Sequence, residues 1–229
     1  MNDAARRNPS GAPLSFLLPV SAALVLAAVY LAQPWLLLPV WLAAAVKGAV
    51  CPLLALALWR SRDGDADARR LGLALLLSAA GDVFLAVDPA GLFVAGLGSF
   101  LLAHLIYLWQ FLRHRPRPLA LPGPRLLAMA AIVVAVAGML AVLLPGLGAL
   151  AGPVVAYIGA ITAMALAAAL LPGRGLVLSG AVLFMLSDSL IALNKFVAPV
   201  PAAGAAIWIS YVAAQLLIVL GWRGERRIA

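Results

Sequence analysis

The amino-acid sequence predicts an all-α integral membrane protein, a compact bundle of eight transmembrane helices. Only 10% of its residues are charged, whereas a water-soluble domain usually has about 25%. The mean hydropathy is +1.10. Apolar runs of roughly 20 residues, the length that one helix needs to cross a hydrocarbon core about 30 Å thick, recur along the chain. Residues 1–229 are therefore predicted to form a single transmembrane domain.

Turn residues and charges divide the apolar sequence into eight predicted spans. Prolines and glycines such as Pro89, Pro145 and Gly146 mark the connections, because proline disfavours a helical conformation in the residue before it. No connection is long enough to link two separate domains. The predicted spans cover residues 15–33, 36–59, 71–87, 91–112, 125–144, 149–171, 175–196 and 202–222.

The arginines predict the orientation of the chain, since all of them fall in alternate connections or in the tails. They are Arg6, Arg7, Arg60, Arg62, Arg69, Arg70, Arg113, Arg115, Arg117, Arg125, Arg174, Arg223, Arg226 and Arg227. The positive-inside rule then predicts that both termini are cytoplasmic, with short tails at 1–14 and 223–229. The membrane is expected to be a bacterial inner membrane. The net charge of +8 is spread over these short loops and forms no single stripe, so no nucleic-acid partner is expected.

Ionisable residues interrupt four of the predicted spans at similar depth. Lys47, Asp82, His104 and Asp188 each lie near the middle of a span, judged from a rise of about 1.5 Å per residue, and Tyr211 lies at a comparable depth. An ionised carboxylate in hydrocarbon costs at least a few kcal/mol, so an acid at this depth indicates a function. Because two acids share the level with one permanent cation, one acid is expected to be protonated beside an ionised one.

Two interpretations of this polar level remain open. In the structural one, Lys47 neutralises one aspartate, His104 bonds a carbonyl, and the polar groups hold the helices together. In the functional one, the two acids form an acid/base pair, which the helical spacing supports: Tyr107 lies one turn from His104, and Lys195 lies two turns from Asp188. No metal and no other cofactor is predicted, because the chain has only two histidines and neither a dinucleotide nor a phosphate-binding motif.

Three sequence motifs occur in order along the chain. They are "LLLSAAGDVFL" with Asp82, "GSFLLAHLIYL" with His104 and Tyr107, and "FMLSDSLIALNKF" with Asp188. In this order and spacing they resemble the YhhN-like lysoplasmalogenase family. The chain departs from the family at Lys47, which is followed by Gly48 where the family tends to have proline.

The resemblance implies an eight-span membrane hydrolase. Such enzymes cleave the vinyl ether bond of lysoplasmalogens, 1-alkenyl-glycerophosphoethanolamine or 1-alkenyl-glycerophosphocholine, to a fatty aldehyde and a glycerophospho-alcohol. The partners implied are a lysophospholipid substrate and the lipid bilayer. Vinyl ether hydrolysis requires a proton donor and an anion, and two carboxyl groups supply both in glycoside hydrolysis, which proceeds through a similar cation.

The residues that match the family motifs receive expected roles. The catalytic residues are predicted to be Asp82, Asp188 and His104. Which aspartate donates the proton stays open; a cationic Lys195 near Asp188 would keep Asp188 ionised and leave Asp82 as the acid. The substrate-binding residues are predicted to be Lys47, Tyr107, Asn194, Lys195 and Tyr211.

A second function class uses the same buried acids. A proton-coupled transporter of a small molecule or lipid also carries acids and a lysine near the middle of the membrane. Such a protein is expected to show two related halves with interrupted helices in matching positions. "LSAAGDVFL" and "LFMLSDSLI" echo each other 106 positions apart, but the neighbouring spans do not match.

Overall fold

A computed structural model describes residues 13–62, 64–88, 91–116 and 123–224. The regular structure of these residues is helical throughout. The helices are α1 (Leu14–Leu31), α2 (Gln33–Leu36), α3 (Val40–Ser61), α4 (Ala66–Val87), α5 (Phe93–Arg113), α6 (Gly123–Leu143), α7 (Ala151–Ala169), α8 (Gly175–Phe196) and α9 (Ala203–Arg223). Two short 3₁₀ turns, Leu144–Gly146 and Gly148–Leu150, connect α6 to α7.

Eight of the described helices, all except the four-residue α2, are long and apolar enough to cross a membrane. This confirms the all-α prediction and the count of eight spans. Their order and spacing follow the predicted spans, with most ends within four residues. Arg6, Arg7, Arg117, Arg226, Arg227 and Pro89, on which the orientation and one turn were predicted, lie outside the described residues.

The start of α4 lies five residues before the predicted start at residue 71. Asp65 precedes the helix, and its side chain accepts the backbone N–H of Asp67 at 2.8 Å, which satisfies one of the exposed donors at the helix start. Arg69 and Arg70 therefore lie in the first turns of α4, although their charge predicts a loop.

A short turn of helix, α2, separates α1 from α3 and was not predicted. Pro34 lies in its first turn, where the missing proline N–H costs nothing, and Leu37 ends it in a left-handed conformation with φ of 50°. The second membrane helix consequently begins at Val40, four residues after the predicted start.

The chain forms two compact units, Met1–Ala103 and His104–Ala229, with the division inside α5. In the first unit, α3 packs against both α1 and α4. In the second unit, α8 packs against α9 and α7, and α6 contacts α7 and α8. The prediction that the whole chain is one domain remains a prediction.

Candidate active site

The first unit contains a buried ion pair. Lys47 of α3 places its Nζ atom 3.6 Å from Oδ1 of Asp82 of α4, and the two side chains are 15% and 4% exposed. The ammonium group also lies 5.6 Å from the ring centre of Tyr30 of α1, within the range of a cation–π contact. We call these three residues the Asp82 cluster; it brings three membrane helices together around one acid and one base.

Small residues bring neighbouring helices close to the Asp82 cluster. A Cβ atom on Gly48, next to Lys47, would lie 2.5 Å from Cγ2 of Val83, and a Cβ atom on Gly81, next to Asp82, would lie 2.5 Å from the Phe100 ring. Both glycines are therefore required for the observed approach of the helices. Gly48, where the chain departs from the family that its motifs resemble, thus serves the packing of α3 on α4.

The second unit holds the other acid. The hydroxyl of Tyr157, on α7, donates a hydrogen bond of 2.5 Å to Oδ2 of Asp188, on α8. The ring of His104 meets the ring of Tyr157 edge to face, with centroids 5.2 Å apart, and meets the ring of Phe184 in the same manner at 4.6 Å. We call His104, Tyr157, Phe184 and Asp188 the Asp188 cluster; its acid is held by a neutral hydroxyl group among aromatic rings.

A chain of buried hydrogen bonds adjoins the Asp188 cluster. The hydroxyl of Tyr107 donates to Oε1 of Gln215 at 2.8 Å, and Nε2 of the same glutamine donates to the hydroxyl of Tyr211 at 3.4 Å. The Tyr211 ring in turn packs edge to face on Phe184, with centroids 5.3 Å apart. Tyr107 and Tyr211, both predicted to bind substrate, are thereby fixed by one glutamine and joined to the Asp188 cluster through Phe184.

The last two predicted binding residues lie at the end of α8 and are exposed. The side-chain oxygen of Asn194 accepts the backbone N–H of Val200 at 2.9 Å and so shapes the turn that leaves the helix. Nζ of Lys195 lies 6.0 Å from the ring centre of Phe196. By helix rise, Lys195 is about 10 Å along the axis from Asp188. At the other acid near the middle of a span, Lys47 places its ammonium group against Asp82.

The structure therefore groups the predicted residues in three places. Lys47 and Asp82 are together in the first unit; His104 and Asp188 share the Asp188 cluster, with Tyr107 and Tyr211 beside it; Asn194 and Lys195 are at a helix end. The predicted catalytic set omitted Tyr157. A tyrosine buried near the middle of a span was the available signal, but the sequence does not reveal which way α7 turns it.

Metal binding finds no support in the part of the chain that the structure describes, where no group of three or more His, Cys, Asp or Glu side chains is arranged around a common point. A serine nucleophile also lacks support near Asp82, because the Ser78 hydroxyl donates to the carbonyl of Ala74 in its own helix at 3.0 Å. Carboxyl groups can transfer protons, and carboxylates and aromatic rings can stabilise a nearby cation, so both clusters contain groups suited to acid–base chemistry.

The family model and the most similar known proteins indicate the same family. The YhhN family matches residues 42–222. A "Lysoplasmalogenase" from Mycobacterium bovis is 41% identical over 189 residues, which cover 80% of this chain and 71% of that protein. The "Lysoplasmalogenase TMEM86B" proteins of Homo sapiens and Sus scrofa are 40% and 38% identical, covering 79% and 80% of this chain and 75% and 76% of their own lengths. No solved structure gives a significant match. Since the family match covers most of the chain, including every predicted site residue, the protein belongs to the YhhN family.

Proposed function

We propose that this protein is a lysoplasmalogenase, a membrane-embedded ether hydrolase that cleaves the vinyl ether bond of lysoplasmalogens. The observation that carries the proposal is a carboxyl group, Asp188, held by a hydroxyl donor among aromatic rings in a chain whose relatives bear that enzyme's name. The relatives provide no support for the transporter alternative.

The reaction begins with carbon protonation. An acid gives its proton to the β-carbon of the vinyl ether, and the ether oxygen shares the resulting positive charge as an oxocarbenium ion. Water adds to the cation and loses a proton, which gives a hemiacetal. The hemiacetal then separates into a fatty aldehyde and the glycerophospho-alcohol, so that the net change is the addition of one water molecule. The enzyme needs a proton donor, an anion and a means to hold the lipid.

The contacts of the two acids support different roles for them. An ion pair uses the carboxylate form of an acid, so Asp82, with Lys47 at 3.6 Å, is suited to stabilise the cation or to accept the proton of water. Asp188 faces a neutral hydroxyl and is suited to donate the proton. This division reverses the one that a cationic Lys195 beside Asp188 would produce. That both acids serve one reaction remains a prediction from the sequence.

The other predicted residues hold the reacting groups or the lipid. His104 is fully buried against Tyr157 and Phe184 and is proposed to orient water or the acid. Tyr107 and Tyr211, fixed by Gln215, are proposed to line the path of the lipid. Lys195 and Asn194, exposed at the end of α8, are proposed to meet the phosphate of the head group, which stays outside the hydrocarbon while the alkenyl chain enters it.

The orientation of the chain is proposed from its arginines, with both termini in the cytoplasm of a bacterial cell and the protein in the inner membrane. Reporter fusions after Trp59, Arg117 and Arg227 are expected to report the cytoplasm, and fusions after Pro89, Gly146 and Pro199 the opposite side. A cytoplasmic signal at Pro89 together with an outer signal at Trp59 would reverse the orientation.

The function is tested with purified protein and three matched lysolipids that carry a vinyl ether, an alkyl ether or an acyl chain. We expect aldehyde release from the vinyl ether only, because only that bond forms a stabilised cation on protonation. EDTA is expected to leave the rate unchanged. Release of fatty acid from the acyl lipid with no aldehyde from the vinyl ether would contradict the proposal, and vesicle uptake of lysolipid without hydrolysis would favour transport.

A further inference from the structure

Tyr157 contacts both predicted catalytic residues of the second unit. Its hydroxyl is 2.5 Å from Oδ2 of Asp188, and its ring packs edge to face against His104. The side chain is 6% exposed and comes from α7, whereas Asp188 comes from α8. The hydrogen bond thus joins two helices at the acid itself, far from either end of α8.

We propose that Tyr157 is a positioning residue for vinyl ether hydrolysis, holding the carboxyl group of Asp188 in the orientation from which it delivers its proton. The inference rests on the proposed function. It adds a residue that the motifs did not indicate, and it assigns the two oxygens of Asp188 different tasks. Oδ2 accepts the hydrogen of Tyr157, and Oδ1 carries the proton that goes to the substrate.

The hydrogen bond from the Tyr157 hydroxyl to Asp188 is expected to strengthen during the reaction. A hydrogen bond from a hydroxyl to a carboxylate is typically about 2.5 to 2.7 Å long and roughly twice as strong as one between neutral groups. When Asp188 gives its proton to the β-carbon, it becomes a carboxylate and the tyrosine hydroxyl faces a full negative charge. An interaction that is stronger in the transition state than in the ground state lowers the barrier.

The proton balance closes within the catalytic cycle. Asp188 loses a proton from Oδ1 to the carbon of the vinyl ether, and Tyr157 keeps its own proton throughout. The water that attacks the oxocarbenium ion loses a proton to the Asp188 carboxylate, which restores the acid. His104 fixes the plane of the Tyr157 ring by its edge contact, and because tyrosine has only two side-chain torsions, the packed ring determines where the hydroxyl lies.

Replacement of Tyr157 by phenylalanine removes the hydroxyl and keeps the ring. We expect kcat to fall about 10- to 100-fold, the equivalent of one hydrogen bond to a charged group, with KM nearly unchanged. The matched control is Thr162→Val on the same helix, because the Thr162 hydroxyl donates to the backbone carbonyl of Ile158 in its own helix. Its kcat is expected to stay within about twofold of the parent, since a neutral bond to its own helix contributes little.

A second series separates positioning from a structural role. Fluorinated tyrosines at position 157 keep the ring nearly the same size while making the phenol progressively more acidic. We expect log kcat to change progressively with that acidity, at constant thermal stability. A hydroxyl that only holds α7 to α8 would give the same kcat with every analogue, and that result would overturn the proposal.

A double mutant shows whether Tyr157 acts through Asp188. If it does, Tyr157→Phe should cause no further loss of kcat when added to Asp188→Asn. An additive loss would overturn the proposed route through Asp188. The two proposals fail in different ways: a parent protein that releases no aldehyde contradicts the proposed function, whereas an active parent, an inactive Asp188→Asn and a fully active Tyr157→Phe contradict only the role of Tyr157.

Discussion

The two acids near the middle of described membrane helices, Asp82 and Asp188, have different contacts. Asp82 is 3% exposed and lies against the ammonium group of Lys47, whereas Asp188 is partly exposed and lies against the hydroxyl of Tyr157. Both follow a small residue in the sequence, Gly81 and Ser187, and both lie near the middle of a predicted span. Similar sequence contexts therefore give one acid a compensating charge and the other a neutral donor.

This difference separates what each acid contributes to stability from what it contributes to chemistry. Removing the charge of Asp82 leaves the cation of Lys47 without the carboxylate opposite it, which is costly at low exposure. Removing the acidity of Asp188 leaves Tyr157 facing an amide oxygen, which still accepts its hydrogen bond. The acids can thus be distinguished by asking which substitution costs folding and which costs only turnover.

The largest expected effect is on turnover. Asp188→Asn keeps the size of the side chain and an acceptor for Tyr157 but cannot donate the acid's proton, and acid–base steps contribute about 100- to 10,000-fold. We expect kcat for aldehyde release to fall by that factor, while the melting temperature of the purified protein stays close to that of the parent. Asp82→Asn is expected to lower kcat over the same range.

The double variant tests whether the acids serve one reaction. Residues that act as a unit are strongly non-additive, so Asp82→Asn with Asp188→Asn should be scarcely slower than the worse single variant. Losses of kcat that multiply would mean that the two clusters act independently. A fully active Asp188→Asn would remove the proton donor from the proposed mechanism.

The next effect is on stability and differs between the acids. Breaking a buried ion pair by neutralising one partner typically costs about 3 to 5 kcal/mol. Because Lys47 is 15% exposed, we expect Asp82→Asn to fall near the lower end of that range and Asp188→Asn to cost less than about 1 kcal/mol. Thermal unfolding of both variants in the same detergent measures the difference.

A compensating variant identifies the cause of that loss. Lys47→Met removes the cation, so Asp82→Asn combined with Lys47→Met should unfold at a higher temperature than Asp82→Asn alone. If adding Lys47→Met does not raise the unfolding temperature of Asp82→Asn, the loss of stability comes from packing around Asp82 and not from an uncompensated charge. Equal stability losses at Asp82 and Asp188 would remove the contrast between the clusters.

The fold was more predictable than the site. Eight spans follow from hydropathy because hydrocarbon demands long apolar helices, and the structure confirms them. The early start of α4 was missed since charged residues were assigned to a loop, although Asp65, Asp67 and the arginines after them form the polar first turns of the helix. The start of α4 could have been predicted from Asp65, because aspartate is a favoured N-cap residue.

The site was only partly predictable because these helices are apolar on nearly every side. In a soluble protein the apolar face reveals which side points inward, but in a membrane both lipid and neighbouring helices meet apolar side chains. The depth estimated from helix rise therefore predicted that Lys47 and Asp82 lie at the same level of the membrane, and the structure pairs them. Depth alone did not predict that Tyr157 faces Asp188, because depth says nothing about which way a side chain points around its helix.

A smaller stability effect tests the close packing beside Asp82. Gly81→Ala would bring a Cβ atom to 2.5 Å from the Phe100 ring, and overpacking of this kind costs about 1 to 3 kcal/mol. Gly98→Ala is the matched control, since nothing lies within 4 Å of the Cβ atom it would add on α5. Thermal unfolding should show a loss for Gly81→Ala and none for Gly98→Ala, and Phe100→Ala should relieve part of the loss. Equal behaviour of the two glycine variants would mean that α4 does not need Gly81 for its approach.

The smallest effect concerns Asp65, an acid outside the membrane-spanning segments that supplies a third environment for comparison. Burial raises the pKa of Asp65, but the N–H of Asp67 and the guanidinium of Arg62 at 3.0 Å outweigh it and hold that pKa below its usual range. The folded state therefore binds this proton less readily than the unfolded state, whose aspartates titrate near about 4.

The contribution of Asp65 to stability is consequently complete above about pH 4 and is lost as the pH falls through the lowered pKa of the folded state. Asp65→Ala should cost about 1 kcal/mol at neutral pH, the usual value of an N-cap, and this difference from the parent should shrink as the pH falls below about 4. Thermal unfolding of both proteins between pH 3 and pH 7 measures the change. A difference that stays constant across this range would assign the role of Asp65 to helix packing, whereas a difference that shrinks with acid shows that the carboxylate form of Asp65 stabilises the fold.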